Sequence, residues 1–127
     1  MSTYIIGEIG QNHNGSVDIA KLIVELVSRP VHEEVFDIAL RPMDAVKLTK
    51  RDLNEELTES QMNRSYDSPH SFGRTYGEHR ACLELSDEEH FEVYKHARSL
   101  GLEFVETLCS KGCLSLLKLF TRSEEHT

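Results

Sequence analysis

The apolar positions of the chain fall into short runs with two different periods. Tyr4-Ile5-Ile6 leads into Glu8-Ile9, a β-branched run that ends in glycine and turn formers, the pattern of a buried strand. The polar turn Gln11-Asn12-His13-Asn14-Gly15 follows. Ser16 and Asp18 then open a segment in which Ile19, Leu22, Ile23, Leu26 and Val27 recur at helical spacing, so this stripe is expected to face the core. Pro30 ends that helix. Residues 31 to 43 mix Val35, Phe36, Ile38 and Leu40 with charges before Arg41-Pro42, and their periodicity assigns them to neither helix nor strand.

Asp44-Ala45-Val46-Lys47-Leu48-Thr49 alternates as a second strand and runs into three cations within five positions, Lys47, Lys50 and Arg51. From about residue 52 to 80 the chain is polar, punctuated by Pro69, Gly73 and Gly77, and reads as one long loop. Loops of that length tend to carry function. Ser86-Asp87-Glu88-Glu89 has the form of a capping box and starts a helix expected to place Phe91, Tyr94, Ala97 and Leu100 on one core face, with Gly101 as its C-cap. Leu102 to Leu108 is the third strand, and Leu114, Leu116, Leu117, Leu119 and Phe120 point to a further helix. Alternation of strand and helix predicts an α/β fold with a parallel sheet. Residues 1–121 are taken as the folded unit; Arg122 to Thr127 is charged, ends without a cap, and is expected not to belong to the native structure.

At 127 residues and 39% hydrophobic, the chain is large and apolar enough to form a core. Its formal charge of −8 disfavours nucleic acid, because phosphate contacts along a polyanion require a basic face. The Lys47 to Arg51 island changes that picture locally, since it could hold a small phosphate or carboxylate within an acidic chain. No leader-like n-region and no membrane-length apolar run is present, which places the expected location in the cytoplasm. Cys82, Cys109 and Cys113 are expected to be reduced and inert.

Strand ends are where parallel α/β barrels place their chemistry. Here those positions hold Glu8, Gln11, Asn12 and His13 after the first strand. The second strand brings Lys47, Thr49, Lys50 and Arg51, and the third brings Glu106 and Thr107. A carboxylate, a lysine and several amide or hydroxyl groups around one mouth suit a polar, anionic, oxygen-rich substrate. His13 reads as a turn-capping side chain and not a metal ligand.

Three segments carry a resemblance: GEIGQNHNG at Gly7 to Gly15, AVKLTKRD at Ala45 to Asp52, and YDSPHSFGRTYGEHR at Tyr66 to Arg80 followed by LELSDEEH. In this order they resemble the N-terminal half of the catalytic barrel of the sialic acid synthase (N-acetylneuraminate synthase) family, over residues 4 to about 120. The resemblance implies an incomplete TIM (β/α)8 barrel and a condensation of phosphoenolpyruvate with an N-acetylated sugar aldehyde of the N-acetylmannosamine type, releasing phosphate. It implies Glu8 as a catalytic residue that positions the sugar or a reacting water, and Lys47 as the partner of the phosphoenolpyruvate anion. Thr49, Gln11 and Asn12 are implied as further substrate contacts. Tyr76, His79 and Arg80 are candidate contacts from the long loop, folded over the mouth or against a partner subunit.

A divalent metal, manganese or magnesium, is also implied, with no ligands in this chain, as is a homodimer for the full-length protein. Two positions depart from the family pattern: Thr49 stands where glutamine is usual, and Glu106-Thr107-Leu108-Cys109 replaces a run ending in proline and phenylalanine. The fragment alone is expected to be inactive. Two alternatives remain: a non-catalytic module that docks onto a full-length synthase or another partner, and another phosphoenolpyruvate aldol-type sugar-acid synthase.

Overall fold

Three parallel strands form the sheet that organises the chain in the computed structural model, which describes residues 2–125, with side chains through residue 121. They are β1 (Ile6–Gly10), β4 (Ala45–Lys50) and β5 (Glu103–Leu108), in the order β1-β4-β5. Helix α1 (Val17–Val27) connects the first pair; α2 (Leu53–Glu56), α3 (Glu59–Asn63), α4 (Tyr76–Cys82) and α5 (Asp87–Ser99) lie between the second. After β5 a 3-10 turn at Lys111–Leu114 leads into α6 (Ser115–Glu125). The fold is α/β, an arc of a (β/α)8 barrel. Each of β1 and β5 pairs only with β4, so the outer edge of each is bare among the described residues.

Strand alternation sorts the side chains of β4 onto two faces. Val46 and Leu48 are fully buried against the helices, in a cluster with Ile9, Ala20, Val24, Leu85, Val93, Ala97 and Leu102. Lys47 and Thr49 therefore point to the opposite, open face. Burial of the first set drives the packing, at about 1.5–3 kcal/mol for each large aliphatic side chain, and the same alternation leaves the second set free for ligands.

The helices are started by the side chains expected to start them. Ser16 accepts a hydrogen bond from the Ile19 N–H, and Ser86 and Glu89 form a reciprocal capping box at α5. Their core stripes differ from the expectation. In α1 the buried residues are Ala20 and Val24, with Ile23 and Val27 partly buried against the same core, whereas Ile19, Leu22 and Leu26 are exposed. Small side chains let this helix sit close to the sheet, and the longer ones project sideways. In α5 the buried residues are His90, Val93 and Ala97, and Leu100 is exposed. Phe91 and Tyr94 instead join Phe104 and Phe120 in a separate aromatic cluster, with the Tyr94 and Phe120 rings stacked at 4.6 Å.

Residues 31 to 43 contain an antiparallel hairpin, β2 (Val31–Glu33) and β3 (Ile38–Leu40). The Glu33 carboxylate accepts the Val35 and Phe36 N–H groups, each at 2.9 Å, and Asp37 takes a positive φ of 52° to close the turn. This hairpin joins the end of α1 to the start of β4, so it lies at the N-terminal end of the strands. Val35 and Phe36 at its tip are exposed.

The expected single loop at 52 to 80 is broken by α2, α3 and the start of α4. Thr58 with Gln61, and Thr75 with Glu78, are capping boxes that start the latter two. The intervening chain folds on its own rings: His79 lies 4.5 Å from the Tyr66 ring and stacks on Phe72 at 5.9 Å. The backbone of α6 continues to Glu125, past the expected boundary at residue 121, while the side chains of residues 122–127 lie outside the described residues.

Candidate functional site

Glu8 and Lys47 are direct neighbours in the β1–β4 register, and their side chains meet on the open face with Lys47 Nζ 3.0 Å from Glu8 Oε2. Both retain solvent contact, at 52% and 33% side-chain exposure, so the pair is accessible to a ligand. The register slips between Glu8 and Gly10, where Gly10 has φ +56°; a Cβ there would stand 3.3 Å from Glu8 Oε1. The slip and the missing side chain give the carboxylate room to turn toward the strand ends. One step along the same face, Thr49 sits beside Thr107 of β5.

Gln11 and Asn12 belong to the turn that follows. The Gln11 amide donates to the Glu84 carboxylate, and the Asn12 amide donates to the Ile9 carbonyl at 3.0 Å. Their donors thus fix the turn. His13 is 1% exposed and caps that turn as expected, its Nδ1 accepting the Gly15 N–H at 3.0 Å.

The basic island divides. Lys50 has the parity of Leu48 and faces the helices, where its ammonium donates to the Leu85 carbonyl at 2.6 Å and lies 3.6 Å from Asp87. It is not a mouth residue. Glu106 is likewise turned away from the mouth, because it pairs in register with Leu48. Its Oε2 lies 3.1 Å from His90 Nδ1, both side chains being buried, and burial pushes its carboxyl above the usual range. Three atoms of this region, His13 Nε2, His90 Nε2 and Glu106 Oε1, are buried without a hydrogen-bond partner.

Arg51 follows the end of β4, with Nη1 2.9 Å from Glu56, and shares the lining of one cavity with Lys50, Glu84 and Asp87. Of the loop candidates, Tyr76 and Arg80 line a rim cavity of about 200 Å³ together with Arg51, Leu53, Glu56 and Leu57. His79 does not line it and serves the aromatic packing of the loop. Glu84, absent from the sequence reading, ties the Gln11 turn to the backbone of Arg51, and burial raises its carboxyl above the usual range. Among the described residues no three His, Cys, Asp or Glu side chains converge on a point where they could hold a metal ion. No helix is long and apolar enough to cross a membrane.

Burial pushes the His13 imidazole below its ordinary value of 6.5, and neighbouring His90 adds to this while Glu89 opposes it. A group depressed on folding must stay uncharged, so its contribution is present above about pH 6.5 and is lost as the pH falls. Thermal melts at about pH 7.5 and about pH 5.5 are expected to show a drop in the wild type that is smaller in His13→Asn. An equal drop in both chains contradicts this role. The raised carboxyl of Glu106 works in the opposite direction, which is why the variant, and not the wild-type profile alone, isolates His13.

A parallel α/β arc with a polar, ion-paired face near the carboxyl ends of its strands defines a piece of a (β/α)8 barrel. The NeuB family model matches residues 37–122, and the chain belongs to that family. It is 36% identical over 117 residues to the N-acetylneuraminate-9-phosphate synthase of Drosophila melanogaster, covering 91% of this chain and 28% of that protein. With the N-acetylneuraminate-9-phosphate synthase of Homo sapiens it shares 34% identity, covering 80% of this chain and 25% of the relative. An N,N'-diacetyllegionaminic acid synthase of Legionella pneumophila is also 34% identical, over 84% of this chain and 27% of its own length. The chain thus spans about a quarter of the relatives it matches. In fold it is similar to the crystal structure of N-acetylneuraminic acid (sialic acid) synthetase from Leptospira borgpetersenii serovar Hardjo-bovis. That likeness has a TM-score of 0.61 at 17% identity and covers 93% of this chain and 33% of the other.

Proposed function

We propose that this chain is the N-terminal part of a synthase that condenses phosphoenolpyruvate with an N-acetylated sugar aldehyde and releases phosphate. The observation that carries the reading is the Glu8–Lys47 pair, in register on the open face. Without ligand the two charges neutralise each other. Phosphoenolpyruvate offers Lys47 a second, more highly charged anionic partner, and an ammonium at the end of a flexible stem can turn to it. Glu8 is then released to accept hydrogen bonds from sugar hydroxyls or from a reacting water.

In this reaction the methylene carbon of phosphoenolpyruvate forms a bond to the aldehyde carbon, whose oxygen becomes a hydroxyl on protonation. Water adds to the cationic carbon left behind, and cleavage of its bond to the phosphate oxygen yields a keto acid and inorganic phosphate. Thr49 and Thr107 offer hydroxyls on the same face, while Gln11 and Asn12 support the site by holding the turn. The reading keeps a cytoplasmic, homodimeric protein at the relatives' full length. It also keeps a divalent metal whose ligands this chain does not supply, so no step is assigned to it. The relative that makes diacetyllegionaminic acid supports a range of sugar acids.

Calorimetric titration tests the pair. Lys47→Ala is expected to weaken phosphoenolpyruvate binding about tenfold or more, the scale of a charge-assisted contact, while Glu8→Gln retains it. Equal affinity in wild type and Lys47→Ala eliminates the assignment.

A further inference from the structure

We propose that Glu84 is a positioning residue for Glu8: its carboxylate ties the turn after β1 to the end of β4, at the level where the ladder between those two strands has stopped. This rests on the synthase reading, which places Glu8 at the reacting groups, and adds a residue that acts on the site through its neighbours.

β1 and β4 pair from Ile6 with Ala45 to Gly10 with Leu48, and the register slips directly after the Glu8–Lys47 step. Beyond Leu48, β4 runs on through Thr49 and Lys50 with β5 as its partner, so Lys47 stays held by a full ladder on that side. Among the described residues β1 has no second strand beside it. It finishes at Gly10, whose φ of +56° and missing side chain give the chain wide conformational freedom there. The Glu8 carboxylate lies against this residue, since a Cβ on Gly10 would stand 3.3 Å from Glu8 Oε1. Any swing of Gly10 and the turn behind it therefore reaches Glu8 directly, while Lys47 keeps its place.

Glu84 closes that gap. Its Oε1 accepts from the Gln11 side-chain amide, and its Oε2 accepts from the Arg51 backbone N–H. Gln11 follows Gly10 and Arg51 follows Lys50, so one carboxylate grips both chains just past their last strand residues. Hydrogen bonds to a carboxylate are the stronger kind. The Arg51 bond is long, at 3.4 Å, so the Gln11 arm carries most of the tie, and it falls on the strand that lacks a second ladder.

The segment that carries Glu84, between α4 and α5, is itself fixed on both sides. The Cys82 carbonyl packs so closely on Gly15 that a Cβ there would stand 2.0 Å from its oxygen, and the Lys50 ammonium donates to the Leu85 carbonyl at 2.6 Å. Backbone on either side of Glu84 thus already touches the same two loops that its side chain joins. Neither Glu8 nor Lys47 is bonded to Glu84 among the described residues, so its influence on Glu8 passes through Gln11 and Gly10.

The test follows the Lys47 side-chain resonances of the full 127-residue chain without ligand, because Lys47 Nζ reads the position of the Glu8 carboxylate. Glu8→Gln supplies the reference for a Lys47 that has lost its charged partner. Gln11→Met, an apolar side chain of similar length, cuts the main arm and leaves Glu84 in place; it is expected to move the Lys47 signals most of the way to that reference. Glu84→Ala is expected to do the same, and Glu84→Gln, which keeps an acceptor for Gln11, to stay near wild type. In the Glu8→Gln background, Gln11→Met is expected to add no further shift, a non-additivity that a general loosening of the fold does not produce. Lys47 signals unchanged by Gln11→Met, or a shift that adds to that of Glu8→Gln, overturn the proposal. Phosphoenolpyruvate titration keeps the two readings apart. Gln11→Met is expected to leave its affinity unchanged, as Glu8→Gln does, and a loss would move the effect to Lys47 and overturn the role given to Glu84. Insensitivity of phosphoenolpyruvate binding to Lys47→Ala would remove the synthase reading, while the ligand-free shifts still decide whether Glu84 positions Glu8.

Discussion

Gly15→Ala is expected to unfold or nearly unfold the chain, with a loss of about 2–5 kcal/mol from backbone strain and overpacking together. Gly15 has φ +76°, a conformation that a Cβ disfavours by about 1–2 kcal/mol. The larger part is steric: a Cβ at this position would stand 2.0 Å from the Cys82 carbonyl oxygen and 3.1 Å from its carbon. Both are backbone atoms at the end of α4, so no side-chain rotation relieves the overlap. The turn must move, taking with it the Gly15 N–H that His13 accepts. Gly101 provides the control. Its φ is +82°, but nothing lies within 4 Å of its would-be Cβ, so Gly101→Ala is expected to lose only about 1–2 kcal/mol. Urea unfolding of the two variants checks the ordering, and equal losses would show that contact with Cys82 is not what fixes the turn.

His90 and Glu106 should behave as a unit. Glu106→Ala leaves a buried imidazole with neither nitrogen partnered, and His90→Leu leaves a buried carboxylate without its hydrogen bond. Each single change is expected to destabilise by about 2–4 kcal/mol. The double variant His90→Leu/Glu106→Leu, which replaces the pair with apolar side chains of similar volume, is expected to come within about 1 kcal/mol of wild type. The pH dependence follows from the raised carboxyl of Glu106. A group raised on folding gives its full stabilisation below its unfolded value of 4.5 and loses it as the pH rises through the folded one. The double variant should therefore compare best with wild type at neutral pH and worst in acid. Additive losses in the double variant would rule out coupling.

The central strand was legible in the sequence because alternation with full burial of one face leaves little freedom: Val46 and Leu48 point inward to the helices, so Lys47 and Thr49 cannot. Counting the same parity two residues beyond Leu48 turns Lys50 to the helix side. Lys47 and Lys50 are close in sequence but point to opposite faces of β4. Glu106 was misplaced for the same reason, since its direction follows from the β4–β5 register, which no local pattern encodes. In α1 the apolar stripe is half core: Ile23 and Val27 pack partly buried against it while Ile19, Leu22 and Leu26 are exposed, and the fully buried positions go to Ala20 and Val24 because close helix–sheet packing favours small side chains. The hairpin strands at Val31–Glu33 and Ile38–Leu40 are too short to show a period. The helices within residues 52 to 80 did leave a signal, the capping pairs Thr58 with Gln61 and Thr75 with Glu78, which the prevailing polarity of the segment obscured.

The hairpin's attachment at the N-terminal end of the strands separates it from any chemistry at their carboxyl ends. It is joined to the body through its base, where Arg41 is ion-paired with Asp44, and its tip makes no demand on the Glu8–Lys47 face. A fluorophore or affinity handle could therefore be grafted at Val35 or Phe36, giving a reporter on the bottom of the arc that does not interfere with ligands at the top.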